Sequence, residues 1–377
     1  MFNHSLTLGK IDGIAIRVNW SWIIIFVLIA WSLATAFFPM FFPTMSVTTY
    51  WIVGAISALL LFVSVLLHEL GHSITAKSEG IPVRDITLFI FGGVSSIENE
   101  PRTWQDELKM AAAGPLVSVV LGVVCLGLYT ALAGRTAEPV EAVLLALAFY
   151  NLVLAVFNLL PGFPLDGGRI FRSIVWGITH SFREATNVAV AVGHLFAYLF
   201  IIGGFLLAIT GDLLSGLWLV FIGWFLNSAA SQSKQQVEIE ALLRGAPVSV
   251  AMQRPPAAVP AETSVGDFVE HYVLGQNLRA APVVGSGGQL VGLVTLADAR
   301  QVPRNAWGTT PVAKVMRTGH DLAVARPDEP LSEAMKDLAS HNVNQLPVVR
   351  QGELVGMLTR ADVVHYMQVR QDVGKAA

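Results

Sequence analysis

Long apolar runs fill the first 228 residues and constrain the fold more than any other feature of this sequence. A helix needs about 20 consecutive apolar residues to cross the hydrocarbon core of a bilayer. Beyond residue 228 the charged residues return to the density of an ordinary soluble protein. We therefore predict a polytopic α-helical membrane domain over 1–228. The candidate spans are 20–42, 50–76, 108–133, 140–160, 187–210 and 213–228, the last of which is short.

The charges of the loops predict the orientation in the cell membrane. Lys and Arg concentrate in the cytoplasmic loops of multi-pass proteins. Here they occupy the N-terminal arm and the even-numbered loops, whereas the odd-numbered loops contain only Arg135. We therefore expect the N-terminus and the C-terminal region to be cytoplasmic. A net charge of −3 without a basic stripe predicts no nucleic-acid partner.

Two stretches depart from the transmembrane pattern. Residues 81–97, between spans two and three, are rich in β-branched and aromatic residues and contain Gly92 and Gly93, which favours a small β segment. Residues 229–245 are polar with some helical spacing, as expected of a connector.

The tail contains an internal repeat. Residues 290–298 (LVGLVTLAD) recur as 354–362 (LVGMLTRAD), so two α/β units of about 60 residues are expected at 246–304 and 309–370. Units of this size bury little apolar surface alone, and we expect the two to pack together.

The chemistry of the sequence is concentrated in His68-Glu69-Leu70-Gly71-His72, inside the second span. Residues four apart share a helix face, so His68 and His72 can bind one metal ion with Glu69 beside them to transfer a proton. Ionisable groups inside a membrane are costly and indicate a functional site. The alternative is a polar patch that only hydrogen-bonds to neighbouring helices.

Zinc in a hydrolase takes three protein ligands and leaves the fourth position for water. The best third ligand is Asp166, in the Pro- and Gly-rich break that follows the fourth span. The predicted topology places Asp166 and His72 at the same depth, near the cytoplasmic ends of their spans. Asp166 alone could instead cap the next helix.

Five motifs follow one another along the membrane domain: the arm 9–17, the HELGH motif 68–72, Phe91-Gly92-Gly93, Ala113-Gly114-Pro115 and the stretch 158–168. With these motifs in this order, residues 1–228 resemble the site-2 proteases, the intramembrane zinc metallopeptidases of family M50. The tail resembles a pair of CBS domains. The resemblance implies one Zn²⁺ per chain, held by His68, His72 and Asp166, with Glu69 as catalytic base.

The resemblance also implies the substrate class: membrane proteins with a transmembrane helix, such as anti-sigma factors. An unwound substrate strand could add to an exposed edge at Phe91, Gly92 and Gly93, although the two glycines could also form only a turn. Asn158 could bind the substrate backbone or the metal loop, and an interhelical hydrogen bond is the alternative.

In the tail, Thr295 with Asp298 and Thr359 with Asp362 resemble the CBS motif that binds the phosphate and ribose of an adenine nucleotide. A purely structural role, as helix caps or in a homodimer, is the alternative. The function predicted from the whole sequence is thus an intramembrane zinc metalloprotease modulated by its CBS pair. A CBS-regulated transporter and a catalytically idle scaffold are the other classes that would explain spans plus tail.

Overall fold

The computed structural model describes residues 5–376 except 91, 98–99, 256, 277, 286 and 320–321, with side chains up to residue 373. The chain divides into two compact units, Met1–Gln235 and Gln236–Ala377. The first contains the long apolar runs and the second contains the repeated tail.

Six helical stretches among the described residues are long and apolar enough to cross a membrane, as predicted. Hydroxyl side chains start several of them, because Ser46, Thr103 and Ser181 each accept a backbone N–H of the first turn. A shorter helix, α6 (Asp166–Thr179), lies in sequence between the fourth and the fifth of these stretches. The stretches are α1 (Trp22–Ser32) continued through the π-helical Leu33–Phe37 into α2 (Phe38–Phe41), α3 (Val47–Ser78), α4 (Trp104–Leu132), α5 (Glu138–Asn158), α7 (Phe182–Ile209) and α8 (Leu213–Leu243).

The last of these helices is longer than the predicted span 213–228. It continues to Leu243 and so includes nearly all of the predicted connector 229–245. The connector is rich in Ala, Gln, Glu and Leu, which are strong helix formers, so the helix can continue beyond the end of the apolar run.

A four-stranded sheet accompanies the membrane helices, in the order β1–β2–β3–β4. The sequence predicted strands only within 81–97, and the structure adds an N-terminal hairpin whose second strand pairs in parallel with β3. That parallel pairing joins segments far apart in sequence, so no local pattern announces it. The strands are β1 (Ser5–Ile11), β2 (Ile14–Asn19), β3 (Val83–Phe89) and β4 (Gly92–Ile97).

The sheet packs on the part of α3 that carries the HELGH motif. Ile14 of β2, Ile86 of β3 and Leu70 of α3 form one buried cluster. β4 pairs only with β3, so its outer edge has no partner strand among the described residues. The motif therefore lies under the sheet, close to an open edge.

The second unit contains the two predicted repeats. Its first sheet is β5 (Val259–Pro260), β6 (Ala280–Val284) and β7 (Leu290–Thr295), and its second is β8 (Gln345–Arg350) and β9 (Glu353–Thr359). The hairpins β6–β7 and β8–β9 have matching registers, with Pro282 opposite Leu293 and Pro347 opposite Met357. The helices are α9 (Val265–Asp267) continued by the π-helical Phe268–Leu274, α10 (Leu296–Ala299), α11 (Leu331–Ser340) and α12 (Arg360–Ala376).

The repeats pack together by exchanging their opening segments. Val248, which opens the first repeat, is buried in the core of the second, and Val312, which opens the second, is buried in the core of the first. Backbone bridges follow the same exchange, since Gln253 pairs with Met357 and Arg317 with Leu293. Each core is thus built from both repeats.

Candidate metal centre

Two buried histidines of α3 face one point. His68 and His72 lie one turn apart on the same side of the helix, and their Nε2 atoms are 3.2 Å apart. The structure therefore brings the two imidazoles together as the spacing predicts.

Asp166 completes a triangle with these histidines. Its Oδ2 lies 3.1 Å from Nε2 of His68 and 3.2 Å from Nε2 of His72. Asp166 is the first residue of α6, while the capping position belongs to Leu165 and no side chain caps the helix. The carboxylate is thus directed at the histidines rather than at the free N–H groups of its own helix.

The triangle fits a zinc ion. Ligand atoms placed tetrahedrally at roughly 2.0–2.1 Å from zinc are roughly 3.3 Å from one another, and the three distances here are 3.1–3.2 Å. Two imidazoles and one carboxylate are donors that catalytic zinc accepts, and three protein ligands leave a fourth position for water.

The remaining ring nitrogens of the histidines are hydrogen-bonded. Nδ1 of His72 lies 2.7 Å from the carbonyl oxygen of Met110, and Nδ1 of His68 lies 2.9 Å from Oγ of Ser118. A carbonyl only accepts, so Nδ1 of His72 carries the proton and Nε2 keeps its lone pair for the metal. Both partners are on α4, which therefore orients both rings.

Gly114 lets α4 approach the two rings. A Cβ atom at this position would lie 2.7 Å from Nε2 of His68 and closer still to the ring of His72. The four-residue spacing of Gly114 and Ser118 in the sequence indicates close helix packing, but it does not show that they and Met110 meet the two histidines. Those contacts join α3 to α4 across 38 to 50 residues.

Gly114→Ala is expected to weaken zinc binding about ten- to a hundredfold, since the methyl group displaces both imidazoles from their positions. The zinc Kd of the purified protein, measured by competition with a chelator, checks this. Gly127→Ala is the matched control on α4, because a Cβ there meets nothing within 4 Å. Equal Kd values for the two variants would contradict the steric role of Gly114.

Glycines also bring Asp166 to the histidines. The turn between α5 and α6 folds back on the start of α6, and a Cβ at Gly167 or Gly168 would collide with its backbone. The backbone N–H of Phe163 in this turn donates to the carbonyl oxygen of Ala189 on α7, at 3.3 Å. The break seen in the sequence is thus a compact turn held by its neighbours.

A buried arginine joins the segments around this turn. Arg172 of α6 donates to Glu107 of α4 through Nε, at 2.8 Å, and through Nη2. Its guanidinium lies 4.9 Å from the ring centroid of Phe163 and 4.4 Å from that of Phe182. Arg172 and Glu107 are almost fully buried, so this pair fixes α6, and with it Asp166, against α4 and α7. The sequence indicated Arg172 only as a loop charge.

Glu69 is next to the first histidine and lies under β4. Its Oε2 accepts a hydrogen bond of 2.7 Å from the hydroxyl of Ser95. Gly93 is on the same face of β4 as Ser95, and a Cβ atom at Gly93 would be 3.0 Å from Cδ of Glu69. The predicted base and the predicted substrate segment are therefore in contact.

The other residues predicted to bind substrate differ in what the structure says of them. Phe91 lies outside the described residues. Gly92 opens β4 with a φ of 122°, and Asn158 is the half-buried last residue of α5. No side-chain hydrogen bond of Asn158 exists within the described part of the chain. The interhelical bond considered for it is made instead by Asn151, whose Nδ2 donates to Oγ of Ser64 at 3.1 Å.

In the tail, the predicted nucleotide-binding residues form helix caps. The Thr295 hydroxyl accepts the N–H of Asp298 at 3.2 Å, and the Asp298 carboxylate accepts the N–H of Thr295 at 2.9 Å. Thr359 and Asp362 repeat the arrangement, at 3.1 and 2.9 Å. These carboxylates are therefore partly engaged within the chain, as helix caps, and nucleotide binding at them stays a prediction.

Both parts of the chain are similar to known proteins. Residues 56–138 and 130–202 match the family model of peptidase family M50, and residues 248–304 and 312–369 match that of the CBS domain. Rip3 of Mycobacterium tuberculosis is 36% identical over 97% of this chain and 93% of its own. Zinc metalloprotease MJ0392 of Methanocaldococcus jannaschii is 29% identical over 97% of each chain. The solved site-2 protease from M. jannaschii is 31% identical, covers 61% of this chain and 95% of its own, and has a TM-score of 0.42.

Proposed function

Because this chain belongs to peptidase family M50, the family of the site-2 proteases, we propose that it hydrolyses peptide bonds within or beside the transmembrane helices of other membrane proteins. One observation carries the proposal. Within a unit of membrane-crossing helices, His68, His72 and Asp166 meet at 3.1–3.2 Å, next to a glutamate that can transfer a proton.

The chain would hold zinc through Nε2 of His68, Nε2 of His72 and Oδ2 of Asp166. When bound, zinc supplies a Lewis acid that polarises a carbonyl oxygen and makes water more acidic. Glu69 accepts a proton from the attacking water and passes it to the leaving amine. The outward hydrogen bonds of both imidazoles keep Nε2 directed at the site during this exchange.

A transmembrane substrate must be unwound locally, because the peptide bonds of a helix are hidden in its own hydrogen-bond ladder. The open edge of β4 at Gly92 and Gly93 is the proposed binding place for the unwound strand, which gains backbone hydrogen bonds there. Two features support this: within the described ranges β4 has no strand on its outer side, and Gly93 touches Glu69. Phe91 precedes this strand in sequence and is proposed to take part in substrate binding. Asn158 is proposed to bind substrate backbone through its amide.

The proposed substrates are membrane proteins with a transmembrane helix, including membrane-held regulators such as anti-sigma factors. Quantitative membrane proteomics of cells that produce the wild type or the Glu69→Gln variant tests this. We expect a few membrane-anchored proteins to accumulate only with the variant, with their soluble fragments lost. Identical proteomes, from cells that contain equal amounts of the two proteins, would refute the proposal.

The N-terminus and the CBS unit are proposed to face the cytoplasm. Lys and Arg concentrate in the N-terminal arm and the even-numbered loops, and loops rich in these residues stay on the cytoplasmic side. A cysteine at the exposed Asp328, in a Cys125→Ser background, is the reporter. It should resist membrane-impermeant maleimide in intact cells and react after lysis. Labelling from outside would reverse the orientation.

The CBS unit is proposed to modulate proteolysis by binding an adenine nucleotide at Thr295 and Asp298 and at Thr359 and Asp362. A nucleotide can shift an equilibrium between two arrangements only by its difference in affinity for them. The matching caps of the two repeats support two related sites, and association of two chains through this unit is the accompanying proposal.

Calorimetry of the full chain in detergent, titrated with AMP and with ATP, tests the nucleotide proposal. Binding is expected for the wild type and for Asp267→Ala, and its loss is expected for Asp298→Ala combined with Asp362→Ala. Asp267 is the matched control, because its carboxylate also contacts a capping hydroxyl, Oγ of Ser264, at 2.7 Å. No heat at millimolar nucleotide would leave the unit with a docking or dimerising role only.

A further inference from the structure

A relay of two serine hydroxyls holds the carboxylate of Glu69. Ser73, fully buried on α3, donates to Oγ of Ser95 at 3.1 Å, and Ser95 donates to Oε2 of Glu69 at 2.7 Å. Ser73 is one turn beyond Glu69 on the same helix face. The relay thus leaves α3, passes through β4 and returns to α3.

The contact between β4 and α3 also restricts the side chain of Glu69 sterically. Gly93 of β4 lies against Cγ and Cδ of Glu69, and a Cβ atom at this position would collide with them. A glutamate has three rotatable side-chain bonds, and an unrestrained one samples many orientations. Here one oxygen is fixed by Ser95, while Oε1 has no hydrogen-bond partner within the described part of the chain.

We propose that Ser95 is a positioning residue for the general base, so that the strand offered to the substrate also sets the orientation of Glu69. The inference rests on the proposed function, in which Glu69 accepts the proton of the attacking water. Catalysis then depends on the position of β4. A substrate strand that adds at Gly92 and Gly93 stabilises β4, and Ser95 on β4 holds the side chain of Glu69. Orientation of a catalytic group affects the rate of reaction more than the affinity for substrate.

Two nearly isosteric replacements test the inference, because Ser95→Thr keeps the hydroxyl and Ser95→Val lacks it. The substrate is a labelled peptide spanning the transmembrane helix of a protein that accumulates in Glu69→Gln membranes. We expect kcat of Ser95→Val to be roughly ten- to a hundredfold below that of Ser95→Thr, with similar KM. Zinc content should be equal, because the described hydrogen bonds of the Ser95 hydroxyl go to Ser73 and Glu69 and not to the three ligands.

Ser96→Ala is the matched control, since Ser96 is the next residue of β4 and its hydroxyl donates to Asp85, at 3.0 Å, on the opposite face. It should keep the wild-type kcat. Equal kcat for Ser95→Thr and Ser95→Val, or an equal loss in Ser96→Ala and Ser95→Val, would overturn the positioning role. Failure of the proposed function is distinguishable, because the wild type would then not cleave the peptide or Glu69→Gln would cleave it equally well.

Discussion

Glu69→Gln should lower kcat for peptide hydrolysis by about a hundred- to ten-thousandfold, because an amide cannot take the proton of the attacking water. Zinc content should not change, since Glu69 lies outside the triangle formed by His68, His72 and Asp166. The amide is also nearly the same size as the carboxylate, so the contact with Gly93 is preserved. The measurements are turnover of a labelled transmembrane peptide and elemental analysis of the same preparation.

Both measurements are needed to interpret this variant. Loss of activity together with zinc would mean that Glu69 supports the metal site rather than transferring a proton. Unchanged turnover with zinc retained would assign the base to another residue. Glu79→Gln is a suitable control on the same segment, because Glu79 pairs with Lys109 at the end of α3, at 2.8 Å, and is not at the site.

Combined His68→Ala and Asp166→Ala changes should remove zinc from the protein, from about one ion per chain to almost none. One remaining imidazole, that of His72, cannot hold the ion against the chelators and detergent washes of a purification. Elemental analysis measures the outcome without any substrate. Activity should disappear with the metal, and added zinc should not restore it.

His194→Ala is the matched control for this loss. His194 is also a histidine of a membrane-crossing helix, but its Nδ1 lies 2.7 Å from Oδ1 of Asn227 on α8 and outside the triangle. The control should keep one zinc per chain. Zinc retained after the double change would refute the assignment of the ligands, and zinc lost equally in His194→Ala would point to general unfolding of the unit.

Sequence alone could predict the parts of the site that are local. A four-residue spacing fixes two side chains on one helix face, so His68 and His72 required no knowledge of the fold. Asp166 was predicted from a coarser argument, since two residues at the same membrane depth can meet if their helices are neighbours. The structure supplies that neighbourhood through α4 and the turn that follows α5.

What the sequence could not predict depends on packing between distant segments. Nothing in the residue types of Ser95, Gly114 and Arg172 indicates a role at the site. Their roles come from the residues that pack against them. The hairpin β1–β2 belongs to the sheet only because β2 pairs with β3, whose residues lie 70 positions later in the sequence. The helix caps of the tail, in contrast, can be predicted from sequence alone, because threonine and aspartate three residues apart are a cap signal in any sequence.

Because the two repeats of the tail exchange their opening segments, they depend on each other for folding. They must therefore also be inherited together. A gene that lost one repeat would leave the other with an exposed apolar core, because Val248 and Val312 each fill the half to which they do not belong in sequence. Truncations that end between the repeats should therefore be degraded in the cell, whereas removal of the whole tail leaves no orphaned core. Recombination can add, swap or discard this tail only as a pair.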